Sequence, residues 1–289
     1  MFKKSYKILL LLGITAVLVS VFCFWLFFIK SGQFGRVEVD FLNVGQGDAI
    51  LIKTPADQNI LIDGGPDNAV IKRLSENLPW WDRTIDLIIL THPHDDHVNG
   101  LNDVIRRYRV KRVLYTGVAH NSPGYLVWLK LIKDKHIPLT IIDRPQTIEL
   151  GAGCRLKILY PFKSFLGREV DNLNNSSIVS KLVCGQVDFL LTGDIEEEVE
   201  KVLLDAEIDL SAEVLKAGHH GSDTSLSEDF LAAVKPKTAV IQVGGDNKFG
   251  HPSRRILKRL TRIGAAIYRN DLDGTIKISS DGNIFYHDN

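Results

Sequence analysis

From Arg36 onward, apolar positions come in short runs, and the spacing of those runs changes along the chain. The stretch RVEVDFLNVGQGDAILIKTPADQNILIDGG clusters Val, Ile, Leu and Phe between Gly, Pro, Asn and Asp, which predicts strands joined by tight turns. After Ile85 the pattern alternates. IDLIILTH, VKRVLYTG and IPLTIID read as buried strands, and the amphipathic segments VNGLNDVIRRY and PGYLVWLKLIKDK as the helices between them. CRLKILYP, SSIVSKLVCG and VDFLLTGD return to consecutive strands. Beyond them, helices over IEEEVEKVLLDA, SLSEDFLAAV and SRRILKRLTRIG alternate with strands EVLKAG, KTAVIQVG and AAIYRN, and GTIKISSDGNIFYH closes as a hairpin turning at Asp281-Gly282. The two halves follow one plan. It suits two sheets packed face to face with helices outside, a single α/β domain over residues 36–289.

Residues Ile8 to Ile29 carry no charge and are numerous enough to cross a hydrocarbon layer as a helix. Lys3, Lys4 and Lys7 precede the run and only Lys30 and Arg36 follow closely, which places the short N-terminus in the cytoplasm and the domain outside it. A cleaved signal peptide competes with this reading, but the run exceeds a usual signal core and no small-x-small cleavage site precedes Lys30. The expected organisation is a membrane anchor over residues 1–30, a linker over 31–35 and the domain over 36–289, a single-pass protein of the cell membrane.

Lys plus Arg equals Asp plus Glu, so no overall field draws the chain to nucleic acid, and any basic patch is local. The cysteines make no metal motif. Cys23 falls in the apolar run, while Cys154 and Cys184 are either small buried side chains or, if CRLKILYP and SIVSKLVCG pair as antiparallel neighbours, a disulfide that an extracytoplasmic site permits.

The chemistry concentrates in LTHPHDDHVNG, where His92, His94, Asp96 and His97 follow an apolar strand with the spacing H-x-H-x-D-H. In extended backbone, residues two apart share a face, so His92 and His94 can grip one ion, and Asp96 and His97, at the start of a helix, can face a second ion or the open side of the first. Imidazole with carboxylate suits zinc, manganese or iron. Downstream, FLLTGDIEEE ends a strand at Asp194, and EVLKAGHHGS ends one at His219 and His220. All three groups leave buried strands, so they can converge at one sheet edge.

These motifs resemble the metallo-β-lactamase superfamily, whose fold is the four-layer αββα sandwich. The ordered series FLNVGQGDAILI, ILIDGG, THPHDDHVNG, NNSSIVSKL, FLLTGDIE, LKAGHHGSDTS and GHPSRRILKRL is similar, from Arg36 to the C-terminus, to the C-terminal hydrolase domain of the ComEC family of DNA-uptake proteins. The resemblance implies one or two divalent ions, Zn or Mn. It assigns His92 and His94 to one position, Asp96 and His97 to the other, Asp194 to a bridging or second-ion role and His220 to the last ligand, with His219 able to exchange with His220. Two departures stand out. The middle histidine expected between the first motif and Asp194 has no match, and Asn43 stands where that branch has aspartate.

A water on such an ion becomes the nucleophile near neutral pH, oriented by Asp96, with His219 or His251 protonating the leaving group. Asn174, Asn175, Ser176 and Ser222 are candidates for holding phosphate oxygens, although turn and cap roles account for the same residues. Asp63 of LIDGG is expected to hydrogen-bond a ligand histidine, and Asp95 to face solvent. The basic stretches Arg254 to Arg262 and Arg106 to Arg112 are solvated faces or, beside such a centre, tracks for a nucleic-acid backbone. The function implied is a membrane-anchored phosphodiesterase or nuclease acting on a phosphodiester such as DNA, with no evident protein partner. Hydrolysis of another ester, such as a phosphocholine ester, or of a lactam is the alternative, as is a noncatalytic DNA- or partner-binding envelope protein.

Overall fold

The computed structural model describes residues 12–22 and 35–288. Residues 12–22 form a helix, α1, inside the anticipated membrane segment. The rest of Ile8 to Ile29, including Cys23, lies outside the described residues, and among those described no helix is long and apolar enough to cross a membrane.

From Arg36 the chain forms one compact unit. Its first part runs β1 (Val37–Phe41), β2 (Ile50–Lys53), β3 (Asn59–Ile62), α2 (Ala69–Asn77), β4 (Thr84–Ile85), β5 (Leu87–Ile89), α3 (Asp95–Arg107), β6 (Arg109–Val110), β7 (Val113–Tyr115), α4 (Pro123–Asp134) and β8 (Leu139–Ile141). The second part runs β9 (Gln146–Gly151), β10 (Cys154–Tyr160), β11 (Val179–Cys184), β12 (Val187–Leu191), α5 (Glu197–Asp205), β13 (Val214–Lys216), α6 (Glu228–Val234), β14 (Thr238–Ile241), α7 (Arg254–Arg262) and β15 (Ala266–Arg269). A short α8 (Asn270–Asp273) then leads to the hairpin β16 (Ile276–Ser280) and β17 (Phe285–Asp288).

One sheet has the order β17-β16-β1-β2-β3-β5-β7-β8, the other β15-β14-β13-β12-β11-β10-β9. The closing hairpin thus returns to the first sheet, β16 pairing antiparallel with β1. Alternation along the strands sorts side chains into layers. Val39, Phe41, Ile52 and Ile62 meet Leu156, Leu182, Phe189 and Leu191 between the sheets. Leu51, Leu61 and Ile88 face the other way, onto Val70 and Leu74 of α2, Leu101 and Ile105 of α3 and Trp128 of α4. On the far side, Leu190, Leu215 and Ala239 pack under Leu203 of α5, Phe230 of α6 and Ile256 and Leu260 of α7. The four-layer αββα order follows.

Several elements differ from expectation, among them three of consequence. IPLTIID forms the sheet-edge strand β8, with Leu139 39% exposed, because β7 covers one side only and nothing among the described residues pairs with the other. The helix α2 was not anticipated: it follows a Gly-Gly-Pro turn and buries only Val70 and Leu74. Strand β9 was missed too, since its residues are mostly exposed. Cys154 and Cys184 lie opposite each other on β10 and β11 and form a disulfide.

Asp40 sits on the outer face of β1, fully buried, 3.3 Å from Lys53 Nζ. Burial raises its carboxyl to about 7 against the pull of Lys53. The folded value lies above the unfolded one, so the neutral acid favours the fold, and this contribution, whole below about pH 4, is lost as pH rises through 7. Asp40→Asn is therefore expected to be near neutral at about pH 4 and to stabilise the domain by roughly 2–4 kcal/mol at about pH 8. Paired denaturant titrations check this, and a difference that does not change with pH contradicts it.

Candidate metal centre

Strand ends deliver the site. The chain leaves β3 at Asp63, β5 at Thr91 and His92, β12 at Asp194, and β13 through a single turn, Gly218–Gly221, that carries His219 and His220. Asp63, His219 and His220 have φ of 59°, 46° and 54°, a left-handed backbone that costs a side-chain-bearing residue on the order of 1 kcal/mol or more. All three point side chains into one cluster. The β1–β2 loop closes over it, and Gly47 is needed there because a Cβ would strike the Asp96 carbonyl, to which Asp48 N donates at 3.2 Å.

Hydrogen bonds fix the imidazoles. His97 Nδ1 donates to Asp63 Oδ2 at 2.8 Å and His220 Nδ1 to the Gln242 carbonyl at 2.8 Å, so that in the neutral rings it is each Nε2 that bears the lone pair. Those two Nε2 atoms face carboxylates. His97 Nε2 and His220 Nε2 each lie 3.2 Å from Asp194 Oδ2, and His220 Nε2 lies 3.3 Å from Asp96 Oδ2 and is buried without a hydrogen-bond partner. Asp194 Oδ1 turns instead to the Lys216 ammonium, at 3.1 Å. Lys216 is itself fully buried and also touches Asp48 Oδ2 and the Gly193 carbonyl.

Charge follows from this crowding. Burial pushes His97 and His220 down, but Asp194 and the other carboxylates outweigh it and hold both well above the ordinary histidine value. Asp194 is held well below its usual range against the effect of burial, by His220, Lys216 and His97. Such a cluster requires positive charge, as protons on both imidazoles or as a cation among the lone pairs. The donors fit a divalent cation, since Asp96, His97 and His220 form one group of facing ligand atoms and His92, His97 and Asp194 another. Asp48 also groups with Asp194 and His220.

His92 and His94 are brought together as well, His92 Nε2 lying 3.0 Å from His94 Nδ1. Burial first, then the neighbouring His97, lowers both, so two neutral nitrogens face each other. Where the middle histidine was expected, Ser177 Oγ instead lies 3.2 Å from His92 Nδ1 and accepts from Asp194 N.

A cavity of about 340 Å³ opens on the cluster, lined by Gln46, His94, Asp95, Asp96, Asp194, His219, His220, Phe249 and His251. Three substrate candidates do not reach it. Asn175 is spent on Glu196 N and Glu198 at the start of α5, while Ser176 Oγ donates to the Leu173 carbonyl and Ser222 Oγ is taken by Thr224, both as local turn contacts. Asn174 comes closest, with Nδ2 3.2 Å from the His219 ring. Asp95 is exposed at the mouth. Asn43 fastens the loop before Asp48 by accepting from Gly45 N and donating to the Asn270 carbonyl. Sequence reading passed over Asp48 and Lys216. The available signals were an aspartate between a glycine and an apolar strand, and a lone lysine in an apolar run one turn before His219.

A double-sheet sandwich with outer helices and a histidine–carboxylate cluster at its strand ends defines a class, that of the metallohydrolase folds. The chain belongs to the metallo-beta-lactamase superfamily, whose family model matches residues 42–245. It is 28% identical over 275 residues to ComE operon protein 3 of Bacillus subtilis, covering 88% of this chain and 34% of that one. To competence protein ComA of Neisseria gonorrhoeae it is 28% identical over 242 residues, covering 81% and 31%. The chain is thus a ComEC-like hydrolase-fold domain that spans about a third of the length of these relatives. The diiron β-hydroxylase CmlA of Streptomyces venezuelae shares the fold, with a TM-score of 0.52 at 15% identity, covering 84% of this chain and 54% of that one.

Because His97 and His220 hold protons that a cation must displace, loading metal-free protein with Zn²⁺ or Mn²⁺ near pH 7 is expected to release roughly two protons, and affinity is expected to fall as pH drops. Calorimetry in buffers of different ionisation enthalpy reads this number. Binding without proton release would place the ion elsewhere.

Proposed function

We propose that this chain is a membrane-anchored, divalent-metal-dependent phosphodiesterase of the ComEC-like branch, acting on DNA or a similar phosphodiester outside the cytoplasmic membrane. The observation that carries it is the pair of Nε2 atoms of His97 and His220, their Nδ1 atoms already engaged, set against Asp194 and Asp96. A divalent cation held by those four residues, with His92 and His94 beside it, supplies Lewis acidity that acidifies a water and draws charge from a phosphoryl oxygen. The substrate class is supported by the relation to competence proteins. The anchor is supported by the uncharged run from Ile8 to Ile29.

The residues divide the work. Asp96 is the least buried of the four carboxylate and imidazole groups, so it can both face the cation and accept a hydrogen bond from water in the cavity. His219 stands beside His251 with ring centres 5.6 Å apart, and burial lowers both. At neutral pH they are neutral groups, suited to donate a hydrogen bond to a leaving oxygen rather than to deliver a stored proton. His251 is steadied by the parallel ring of Phe249 at 5.8 Å.

Metal analysis, then assays on single-stranded DNA, double-stranded DNA and bis-p-nitrophenyl phosphate, test this reading, with ester and lactam substrates as controls. Chelation is expected to abolish turnover and Mn²⁺ or Zn²⁺ to restore it, while Asp96→Ala lowers kcat on the order of 10³-fold or more. Protein that binds no metal and turns over nothing with any ion is a binding module instead.

A further inference from the structure

The end of the domain opposite the metal centre carries a surface that hydrolysis does not use. A turn from Pro79 to Asp82, closed by Asp82 N donating to the Pro79 carbonyl at 2.9 Å, holds Trp80 and Trp81 outward. They are 81% and 69% exposed, with rings edge to face at 5.5 Å. Indoles are normally covered over most of their area. Parallel pairing of β4 with β6 brings the basic segment against this turn: Arg109 N donates to the Arg83 carbonyl at 2.8 Å, and the Arg83 guanidinium lies 5.4 Å over the Tyr108 ring. Arg107 ends α3 and Arg112 precedes β7, so this segment lies at the strand starts and cannot line the cavity at the strand ends. The nearby acids are engaged, Asp86 with Lys111, Asp103 with Arg106, and Asp82 with Asn59 Nδ2 and Thr84 N. Arg83, Arg107, Arg109 and Arg112 make no ion pair among the described residues and are exposed.

The same end is where the chain enters the domain. The first rungs of β1 run from Glu38 to Lys53 and on to Asn59, the residue that grips Asp82. Two strand spacings, about 10 Å, separate β1 from β3. Arg36 follows the uncharged run ending at Ile29 by seven residues, at most about 25 Å of chain.

We propose that this surface docks on an anionic lipid bilayer, with the Trp80 and Trp81 indoles at headgroup level and the four arginines on anionic headgroups. Indoles prefer that interfacial layer, and each guanidinium adds attraction to an anionic leaflet. A nucleic-acid strand has the same charge and would also stack on indoles, but held here it lies a strand length from the metal centre, and it gives no account of why Arg36 emerges beside the tryptophans. The orientation rests in part on the membrane reading of residues 8–29, so the test removes them. The domain is expected to keep its fold without them, because among the described residues its three apolar clusters contain none before Val37.

Residues 36–289 retain Trp80, Trp81 and the buried Trp128 as their indoles, so fluorescence reports the exposed pair. On phosphatidylcholine vesicles with about 30% phosphatidylglycerol, cosedimentation, blue-shifted emission and quenching by brominated acyl chains are expected, with little binding to phosphatidylcholine alone. Trp80→Ala with Trp81→Ala, and Arg107→Glu with Arg109→Glu, should each weaken binding on the order of tenfold or more, with hydrolysis in solution unchanged. Binding that is absent in the unaltered domain, or undiminished in either double variant, overturns the proposal. A single-stranded oligonucleotide that alters the indole emission and displaces the vesicles also overturns it, in favour of nucleic acid. Carbonate extraction of the full chain tests residues 8–29 independently: a chain that resists extraction while its domain ignores vesicles refutes the docking surface alone, and the converse refutes the anchor alone.

Discussion

One buried carboxylate, Asp63, fixes the chemistry of the centre. Its Oδ1 accepts from Thr91 N at 2.8 Å, and its Oδ2 accepts from Thr91 Oγ1 at 2.7 Å and from His97 Nδ1 at 2.8 Å. With its proton given to Asp63, the Thr91 hydroxyl can only accept from His92 Nδ1, 3.1 Å away. Asp63 therefore engages Nδ1 of His97 directly and of His92 through Thr91, and both Nε2 atoms are left to face the cluster. That reach across two strand ends explains why the backbone tolerates a left-handed aspartate at the close of β3.

Lys216 performs the matching task in the second sheet. Unpaired, a buried ammonium would be driven toward its neutral form, but Asp48 and Asp194 hold it charged, well above the ordinary lysine value. The consequence is a division of the Asp194 oxygens, Oδ1 committed to the ammonium and Oδ2 left to the imidazoles. The second is a link between distant parts of the chain, because Asp48 arrives from the β1–β2 loop and Lys216 from β13. A buried pair of this kind contributes little net stability, yet removal of one partner leaves an uncompensated charge, at a cost of about 3–5 kcal/mol. Its value here is positional.

How much of this was legible depended on whether a residue's role followed from its own run or from a partner far away. Buried strands announced themselves through apolar runs between turn residues, and His92, His94, Asp96, His97, Asp194 and His220 through their positions just past those strands. Asp48 reads as a turn residue and Lys216 as part of a strand until the two are seen to meet across 168 positions of sequence. The same holds for Ser177, one residue beyond the Ser176 singled out: the turn Asn174–Ser176 takes the first hydroxyl back to Leu173 and releases the second toward His92. Trp80 and Trp81 precede the basic segment by more than twenty residues, and only the β4–β6 pairing makes them neighbours.

The missing middle histidine then has a structural reading. Its place beside His92 is filled by Ser177, whose oxygen accepts the Asp194 amide and so ties the end of β12 to the strand end that carries His92. A hydroxyl in this position steadies His92 but offers no imidazole, which leaves two unlike halves. The inner half is enclosed, with His97, His220 and Asp194 nearly without exposure and their outer atoms already fixed by Asp63, Gln242 and Lys216. The outer half has only His92 and the half-buried His94, which borders the cavity and has His120 as its next ring, 6.5 Å between centres. Ligand number and preorganisation both favour the inner half, so of the two it is the half better built to hold a divalent cation, with the outer half open to the cavity.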